Sequence, residues 1–314
     1  MTEGAARALL GKVYLHRGVV GQSNPFGDPL YWPTAQGGDI DAAIAEFRAV
    51  MGMGYGLVDD YEALWNEETE MNQEVVFSIR FAPFEGSGTQ MNTYIAPVFA
   101  PFEFRQFAAW WAELPFWESY AEGDIRRDAT WLKEFTDVNG GQVVFNPDDV
   151  LGDNYTREGP APRKYLSERS GYASVATGPT DFLVIRYADV LLSLAEALWR
   201  QNPASSEALG LVNQVRARAD VDPLGTLTEE ALYWERNWEL ATEQQGRFDA
   251  PRFWELYKAH LTANAELKVS NPDRYAGQSV PPSLPEIEEP KVYLNAIPQA
   301  ALDLNTNLTQ NPGY

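Results

Sequence analysis

The stretch RYADVLLSLAEALWR, residues 186–200, decides the fold prediction because its apolar residues recur at the spacing of an α-helix. They form two neighbouring stripes: Tyr187, Leu191, Leu194 and Leu198 in one, and Ala188, Leu192, Ala195 and Trp199 in the other. A helix that is apolar on two faces has to be packed between other elements. The stretch therefore predicts a helix sandwiched between its neighbours.

A second helix is predicted directly afterwards. Asn202 and Pro203 interrupt the periodicity, and Ala208, Leu211 and Val215 restart it, so residues 186–219 form a helical hairpin. Its length of 34 residues is the period of a tetratricopeptide repeat. A second copy is visible near the N-terminus, where ARALLGKVYL and AIAEFRAV resemble ADVLLSLAEA and ALGLVNQV. Two unrelated amphipathic hairpins would give the same similarity, and both interpretations predict helical hairpins.

The character of the sequence changes after residue 70. Gly, Pro and Asn punctuate short strand-like runs such as EVVFSIRF and QVVFN before helical periodicity returns. We expect a mainly α protein with tetratricopeptide-like helical hairpins and a loop-rich subdomain that contains short strands. The predicted parts of this single domain, residues 1–314, are a helical-repeat scaffold at 1–70 and 182–260, the loop-rich subdomain at 71–181, and a surface-wrapping C-terminal segment at 261–314.

Composition limits the partners of the chain. The 45 acidic and 24 basic residues give a net charge of -21, so nucleic acid and anionic membrane surfaces would be repelled. The absence of cysteine excludes thiolate metal sites and cysteine nucleophiles. With two isolated histidines and no nucleotide-binding fingerprint, we predict neither a metal nor a cofactor. A calcium site at Asp148, Asp149 and Asp153 is a weaker alternative, because the glycine and spacing of a dedicated calcium loop are missing.

Three glutamates, Glu235, Glu239 and Glu243, follow one another at four-residue spacing, which places them on one face of a predicted helix. Three arginines lie nearby in the sequence: Arg236, Arg247 and Arg252. We favour an ion-pair network between these groups, because the arginines are interleaved with the glutamates. The alternative is a glycoside hydrolase that uses Glu239 and Glu243 as general acid and base.

Two adjacent tryptophans, Trp110 and Trp111, occur in the stretch FRQFAAWWAELPF, residues 104–116, within a region too irregular to bury all of its aromatic residues. Exposed indoles can stack on the apolar faces of sugar rings. Nearby side chains are suited to polar or edge contacts with such a ligand: Asn92, Tyr94, Arg105 and Gln106. These six residues form the predicted ligand site, with Trp32 as an outside candidate. Alternatively, both tryptophans cap the core from a bent loop.

The C-terminal stretch AIPQAALDLNTNLTQNPGY, residues 296–314, resembles the closing pattern of the SusD/RagB family, a PIP followed by NPxLxQNPGY. This family comprises surface glycan-binding lipoproteins of Bacteroidetes. Other blocks resemble the family in their usual order: RYADVLLSLAEAL, LGLVNQVRARADV and ERNWELATEQQGRFDAPRFW in the second half, and YWPTAQ, NQEVVFSIRF and EGDIRRDATW before them. The resemblance covers the chain nearly from end to end.

The resemblance implies tetratricopeptide-like hairpins as a scaffold, with a loop-rich subdomain that carries the ligand site. It also implies a non-catalytic protein of the outer-membrane surface that captures an oligosaccharide or other nutrient. A TonB-dependent, SusC-like transporter would be its partner and would receive the ligand. A protein-interaction scaffold without sugar binding is a further alternative. Family sites vary in the residues that touch ligand, so none carries over by motif.

The chain departs from the family pattern at three places. Asp220 stands where glycine usually follows the RxRA of the hairpin. In EQQGRFD, residues 243–249, Gln244 stands at the glycine of the family's EGxRxxD, and Arg247 is displaced by one position. The family pattern therefore does not predict the backbone geometry of this segment. Family members also usually carry a long N-terminal part with a signal peptide and a lipidated cysteine before the block that resembles ARALLGKVYLHRG. We therefore expect this chain to be the back portion of such a protein.

Overall fold

The computed structural model of the chain describes residues 1–23, 34–82, 89–95, 110–137, 139–146, 159–166, 178–275, 296–305 and 307–310, without the side chains of Asn92 and Thr93. Within these ranges the protein is mainly α with a few short strands, which confirms the predicted fold class. No helix in the described part is long and apolar enough to cross a membrane.

The helices occupy both halves of the chain. They are α1 (Glu3–Ser23), α2 (Asp39–Met51), α3 (Met91–Ile95), α4 (Leu114–Glu118), α5 (Ile125–Thr130), α6 (Tyr187–Gln201), α7 (Ser206–Arg218), α8 (Glu229–Glu239), α9 (Gly246–Asp249), α10 (Trp254–Ser270) and α11 (Gln299–Leu304). A 3₁₀-helix spans Tyr61–Trp65.

The strands form three small antiparallel pairs. They are β1 (Val75–Ile79) with β6 (Phe182–Arg186), β2 (Trp131–Leu132) with β5 (Ala161–Pro162), and β3 (Glu134–Thr136) with β4 (Gln142–Val144). In the first pair Val75 lies opposite Arg186. This pairing brings the start of the middle region beside the segment that leads into α6.

Helix α6 is the centre of the hydrophobic core. Every residue from Tyr187 to Leu198 is buried, and α6 packs between α2 and α7. The predicted sandwiched helix is therefore confirmed, although it begins at Tyr187 because Arg186 ends strand β6. Helices α1 and α2 pack together as the predicted first hairpin, and α6 and α7 as the second. Their kinship with tetratricopeptide repeats, and the division of the chain into three parts, stay predictions.

A second buried cluster joins the middle region to the helices. It contains Tyr61, Trp65, Leu132, Tyr165 and Leu183, which come from four different elements or turns. Aromatic edges link three of them: Trp65 meets Tyr61 at 6.3 Å and Tyr165 at 5.4 Å between ring centroids. These contacts fix the position of the Tyr165 ring.

The unusual residue at the end of α7 keeps the backbone shape that a glycine would take. Asp220 has a φ of 58°, a left-handed conformation in which glycine is unstrained and aspartate is tolerated. The amide of Val221 donates to the carbonyl of Arg216 at 3.0 Å and closes the helix. The departure from the family pattern at Asp220 therefore changes the side chain but leaves a helix-ending turn in place.

Candidate ligand-binding site

The tryptophan pair lies in an irregular segment immediately before α4, as predicted. Both indoles are partly exposed, Trp110 by 47% and Trp111 by 37%. The next residues, Ala112 and Leu114, are buried. Neither tryptophan is buried as a cap on the core, so two large apolar side chains face solvent side by side.

Backbone contacts hold this segment in place. The amide of Ala112 donates to the carbonyl of Pro160 at 2.9 Å, which ties the segment to the start of β5. Gly159 lies so close that a Cβ atom there would be 2.2 Å from the carbonyl oxygen of Ala112. Its φ of 114° also disfavours any other residue. The glycine thus allows the close approach that positions the two indoles.

Tyr94 joins the tryptophan pair. Its ring and that of Trp110 are stacked, with centroids 6.3 Å apart and an angle of 25° between the planes. Tyr94 is itself 41% exposed. The structure thus brings together three of the six predicted site residues: Tyr94, Trp110 and Trp111.

Several sequence-based candidates cannot be placed. Arg105, Gln106 and the side chain of Asn92 lie outside the described residues, and so do Trp32 and the three aspartates of the weaker calcium alternative, Asp148, Asp149 and Asp153. Their roles stay predictions. Among the residues that the structure does describe, no group of three or more His, Cys, Asp or Glu could hold a metal ion.

A cavity of about 670 Å³ lies beside the tryptophan pair. Its aromatic lining consists of Trp110, Trp111, Phe116, Trp131, Tyr165 and Phe248. A neighbouring cavity of about 480 Å³ shares Trp111, Phe116 and Trp131 with the first. Each volume falls in the range of about 300–1,000 Å³ that is usual for small-molecule sites. Trp111 therefore stands where two adjoining cavities meet.

The polar part of the lining comes from a segment that sequence analysis did not assign to the site. Asn237 of α8 lines both cavities, and Thr242 and Gln244 from the turn after α8 line the larger one. Arg247 of α9 is exposed and also lines both. Only the departure from the family pattern at EQQGRFD marks this segment as unusual in the sequence. The segment is far from Trp110 along the chain, so the sequence does not show that the two lie close together.

The turn after α8 has a strained backbone. Thr242 and Gln244 have φ values of 69° and 60°, in the left-handed region that non-glycine residues seldom occupy. The residues between and after them are anchored: Glu243 is buried and paired with Lys164 and Arg186, and the side-chain amide of Gln245 donates to the carbonyl of Val184 at 3.1 Å. Buried anchors thus hold two strained residues against the cavity, as is common at ligand sites.

The three glutamates form an ion-pair network, as the favoured prediction states. Helix α8 ends at Glu239, however, so Glu243 lies beyond it and the three do not share one helix face. The partners also differ from those predicted. Glu235 pairs with Arg126 and Arg216, Glu239 with Arg126, Arg186 and Arg218, and Glu243 with Lys164 and Arg186.

The predicted arginine partners have different roles. Arg236 binds Asp189 and Asp249 instead, and Arg252 binds Glu196 and Asp249. Arg236 directly follows Glu235 on α8, and residues adjacent in sequence do not face one another on a helix. Arg247 lines both cavities.

The network lowers the pKa of Glu239. Burial alone would raise the pKa of Glu239, but Arg218, Arg186 and Arg126 outweigh it and hold that pKa well below its usual value. Glu239 is 0% exposed and Glu243 is 2% exposed. A carboxylate that stays ionised near neutral pH and is out of reach of solvent is poorly suited to donate a proton to a glycosidic oxygen.

Comparison with known proteins agrees with this architecture. The SusD family model matches residues 73–314. A SusD-like protein of Bacteroides ovatus is 26% identical over 263 residues, which are 79% of this chain and 45% of that protein. The starch-binding protein SusD of Bacteroides thetaiotaomicron is 31% identical over 186 residues, 57% of this chain and 30% of that protein.

A solved structure shows the same fold. The crystal structure of a SusD homologue from Bacteroides thetaiotaomicron superposes on the chain with a TM-score of 0.72 at 23% identity, and covers 100% of this chain and 64% of that one. The matched region spans less than half the length of each of the two curated relatives named above. The match to the family model extends over well more than half of the residues. The chain belongs to the SusD family.

Proposed function

We propose that this protein binds an oligosaccharide or a related nutrient, and that Trp110 and Trp111 form the stacking platform for a sugar ring. The observation that supports the proposal most directly is the exposure of two adjacent indoles beside cavities of about 670 and 480 Å³. Monomeric proteins seldom leave a contiguous apolar patch exposed without a use. The name of the starch-binding relative from Bacteroides thetaiotaomicron points to the same ligand class.

The chemistry of the lining suits a carbohydrate. Sugar rings have apolar C–H faces that pack on aromatic side chains and a rim of hydroxyl groups that need hydrogen-bond partners. Trp110, Trp111 and Tyr94 offer the aromatic surface. Asn237 and Gln244 offer amides, each with donors and an acceptor. Asn92, Arg105 and Gln106 remain proposed polar contacts.

The proposed role is non-catalytic. Glu239 and Glu243, the pair that a glycoside hydrolase would use, are buried and paired with basic residues. Their burial supports a structural role for the network. The protein would therefore release its ligand chemically unchanged.

We also propose a place for the protein in nutrient uptake. It would lie at the surface of the outer membrane, as a lipoprotein, and deliver its ligand to a SusC-like, TonB-dependent transporter. Membership of the SusD family supports this role. The net charge of -21 is compatible with a neutral ligand and disfavours nucleic acid as a partner.

The test is calorimetric titration with maltoheptaose, laminarihexaose and a xyloglucan heptasaccharide. We expect at least one to bind, and we expect the Trp110→Ala, Trp111→Ala double variant to lose at least about tenfold in affinity, equivalent to about 1.4 kcal/mol. The matched Trp110→Phe, Trp111→Phe variant should keep part of the affinity, because phenylalanine retains an aromatic face.

Three results would contradict the proposal in different ways. Unchanged affinity in the alanine variant would remove the tryptophan site. New reducing ends after incubation with the sugars would identify an enzyme. Silence toward every sugar, while the transporter still co-purifies with the chain, would favour a protein-interaction scaffold.

A further inference from the structure

Two residues that line the larger cavity, Tyr165 and Thr242, carry buried hydroxyl groups without a hydrogen-bond partner in the described part of the chain. The Oη atom of Tyr165 and the Oγ1 atom of Thr242 are both inaccessible to solvent, and neither has a partner within the described part of the chain. Both residues line the cavity of about 670 Å³ beside Trp111. A buried hydroxyl without a partner is unfavourable and uncommon in native proteins, so two in one cavity call for a physical reason.

Tyr165 is held rigidly. Its ring is 1% exposed, stacks on Phe182 with centroids 5.4 Å apart, and meets the edge of Trp65 at the same distance. The preceding residue, Lys164, donates to the carbonyl of Ala241 at 2.9 Å and to Glu243 at 2.8 Å, which joins this turn to the one that carries Thr242. Burial raises the pKa of Tyr165 well above its usual value, so the hydroxyl keeps its proton.

Thr242 is held just as firmly but in an unfavourable conformation. A φ of 69° is unusual for a β-branched residue, and it persists because Glu243 is anchored by Lys164 and Arg186. The strain and the unpaired hydroxyl occur at the same residue. This combination is expected where a side chain is positioned in advance for a ligand.

We infer that the hydroxyl groups of Tyr165 and Thr242 bind the hydroxyl groups of a neutral sugar unit that enters the cavity past Trp111. The inference rests on the proposed function and names the ligand class and the polar contacts of that site. A sugar hydroxyl donates and accepts one hydrogen bond or more, and so do the side chains of Tyr165 and Thr242. The two sets of groups are complementary without any charge.

The charged groups of the lining also favour a neutral ligand. Arg236 and Asp249 both line the cavity, and they bind each other at 2.7 and 3.0 Å. Arg236 is further engaged by Asp189 at 3.0 Å. Arg247 is the remaining charged lining residue and lies exposed. A sugar that carries a carboxylate would also have to approach a chain of net charge -21.

The test uses variants that remove one hydroxyl and little else, Tyr165→Phe and Thr242→Val, titrated with the tightest-binding of maltoheptaose, laminarihexaose and the xyloglucan heptasaccharide. We expect each variant to lose about threefold to tenfold in affinity, the usual effect of one neutral hydrogen bond. The Tm of the unliganded protein should stay unchanged or rise, because the lost hydroxyl had no partner.

Tyr61→Phe is the matched control. Its hydroxyl is also buried but donates to the carbonyl of Glu239 at 2.9 Å, and Tyr61 does not line either cavity. We expect the opposite pattern, a lower Tm with unchanged affinity. An oligogalacturonide serves as the anionic comparison and should bind more weakly than the neutral sugar.

Parent-like affinity in both Tyr165→Phe and Thr242→Val would overturn the inference. If the Trp110→Ala, Trp111→Ala variant still loses its affinity in that case, the proposed function stands and the polar contacts lie elsewhere. Tighter binding of the oligogalacturonide would overturn the neutral ligand class. A fall in Tm for Tyr165→Phe comparable to that of Tyr61→Phe would show a structural hydroxyl and would also overturn the inference.

Discussion

The substitution Glu239→Gln is the most direct test of how much the buried ion-pair network stabilises the fold. The carboxylate of Glu239 accepts from Arg186 at 2.5 Å and from Arg126 at 3.1 Å, and it also binds Arg218. All four side chains are at most 4% exposed. Glutamine keeps the size of the side chain but replaces one acceptor oxygen by an NH₂ group, which would face guanidinium donors.

The cost follows from these contacts. The amide oxygen of glutamine can still accept from one arginine, so about two charge-assisted hydrogen bonds are lost, each with a net contribution of about 1.5–3 kcal/mol. We therefore expect the free energy of unfolding to fall by about 3–6 kcal/mol. Removing one partner of a buried ion pair has a similar cost, about 3–5 kcal/mol.

Urea unfolding at pH 7, followed by circular dichroism, measures this difference. The matched control is Glu3→Gln, because Glu3 forms an exposed pair with Arg7 at 2.9 Å and should contribute less than about 1 kcal/mol. The pKa of Glu239 is lowered in the folded protein, so its stabilisation is present above the unfolded value near 4.5 and is lost as the pH falls toward the folded value. The difference between parent and variant should therefore shrink in acid. A loss below about 1 kcal/mol at pH 7 would refute this view of the network.

Two further substitutions test residues beside the candidate ligand site. Gly159→Ala places a Cβ atom 2.2 Å from the carbonyl oxygen of Ala112, so we expect a lower Tm and weaker oligosaccharide binding. The control is Gly54→Ala, because Gly54 also has a positive φ but has open space around it; this variant should lower only the Tm. Equal affinities for these two variants would contradict the idea that Gly159 positions the tryptophans. Gln244→Gly relieves a left-handed backbone at φ 60°, so we expect the free energy of unfolding to rise by up to about 1 kcal/mol and the affinity to fall, both measured on the same samples. A less stable glycine variant would show that the side chain of Gln244 supports the fold.

The parts of the fold that depend on local periodicity could be predicted from the sequence. The two apolar stripes of residues 186–200 predict a sandwiched helix, and α6 is buried on the faces that pack against α2 and α7. The exact limits could not be predicted in the same way. Arg186 ends strand β6 instead of starting the helix, because Val75 pairs with it from a distant part of the chain.

The partners in the ion-pair network could not be predicted from proximity in the sequence. Three glutamates at four-residue spacing, with arginines close by in the sequence, predict an ion-pair network, and that prediction is confirmed. The partners of Glu239 are Arg126, Arg186 and Arg218, which come from three other elements. Proximity in the sequence favoured Arg236 and Arg252 instead. Only the packing of α5, β6 and α7 around the end of α8 decides which arginines reach the glutamates.

The candidate ligand site could likewise be predicted from the sequence only in part. Two adjacent indoles in an irregular segment predict exposure, and Trp110 and Trp111 are exposed. The cavity beside them is completed by Thr242 and Gln244, which lie far along the chain and approach through tertiary structure. The departure from the family pattern at Gln244 marks this position as unusual, but it does not show that the position lies near Trp111.

The central claim is that the tryptophan pair and its cavity bind a sugar ring. A crystal structure of the chain with the tightest-binding oligosaccharide of the panel tests it most directly. We predict a pyranose ring stacked on Trp110 or Trp111, with a hydroxyl group within hydrogen-bond distance of the cavity lining. A sugar bound elsewhere, with both indoles untouched, would contradict the account.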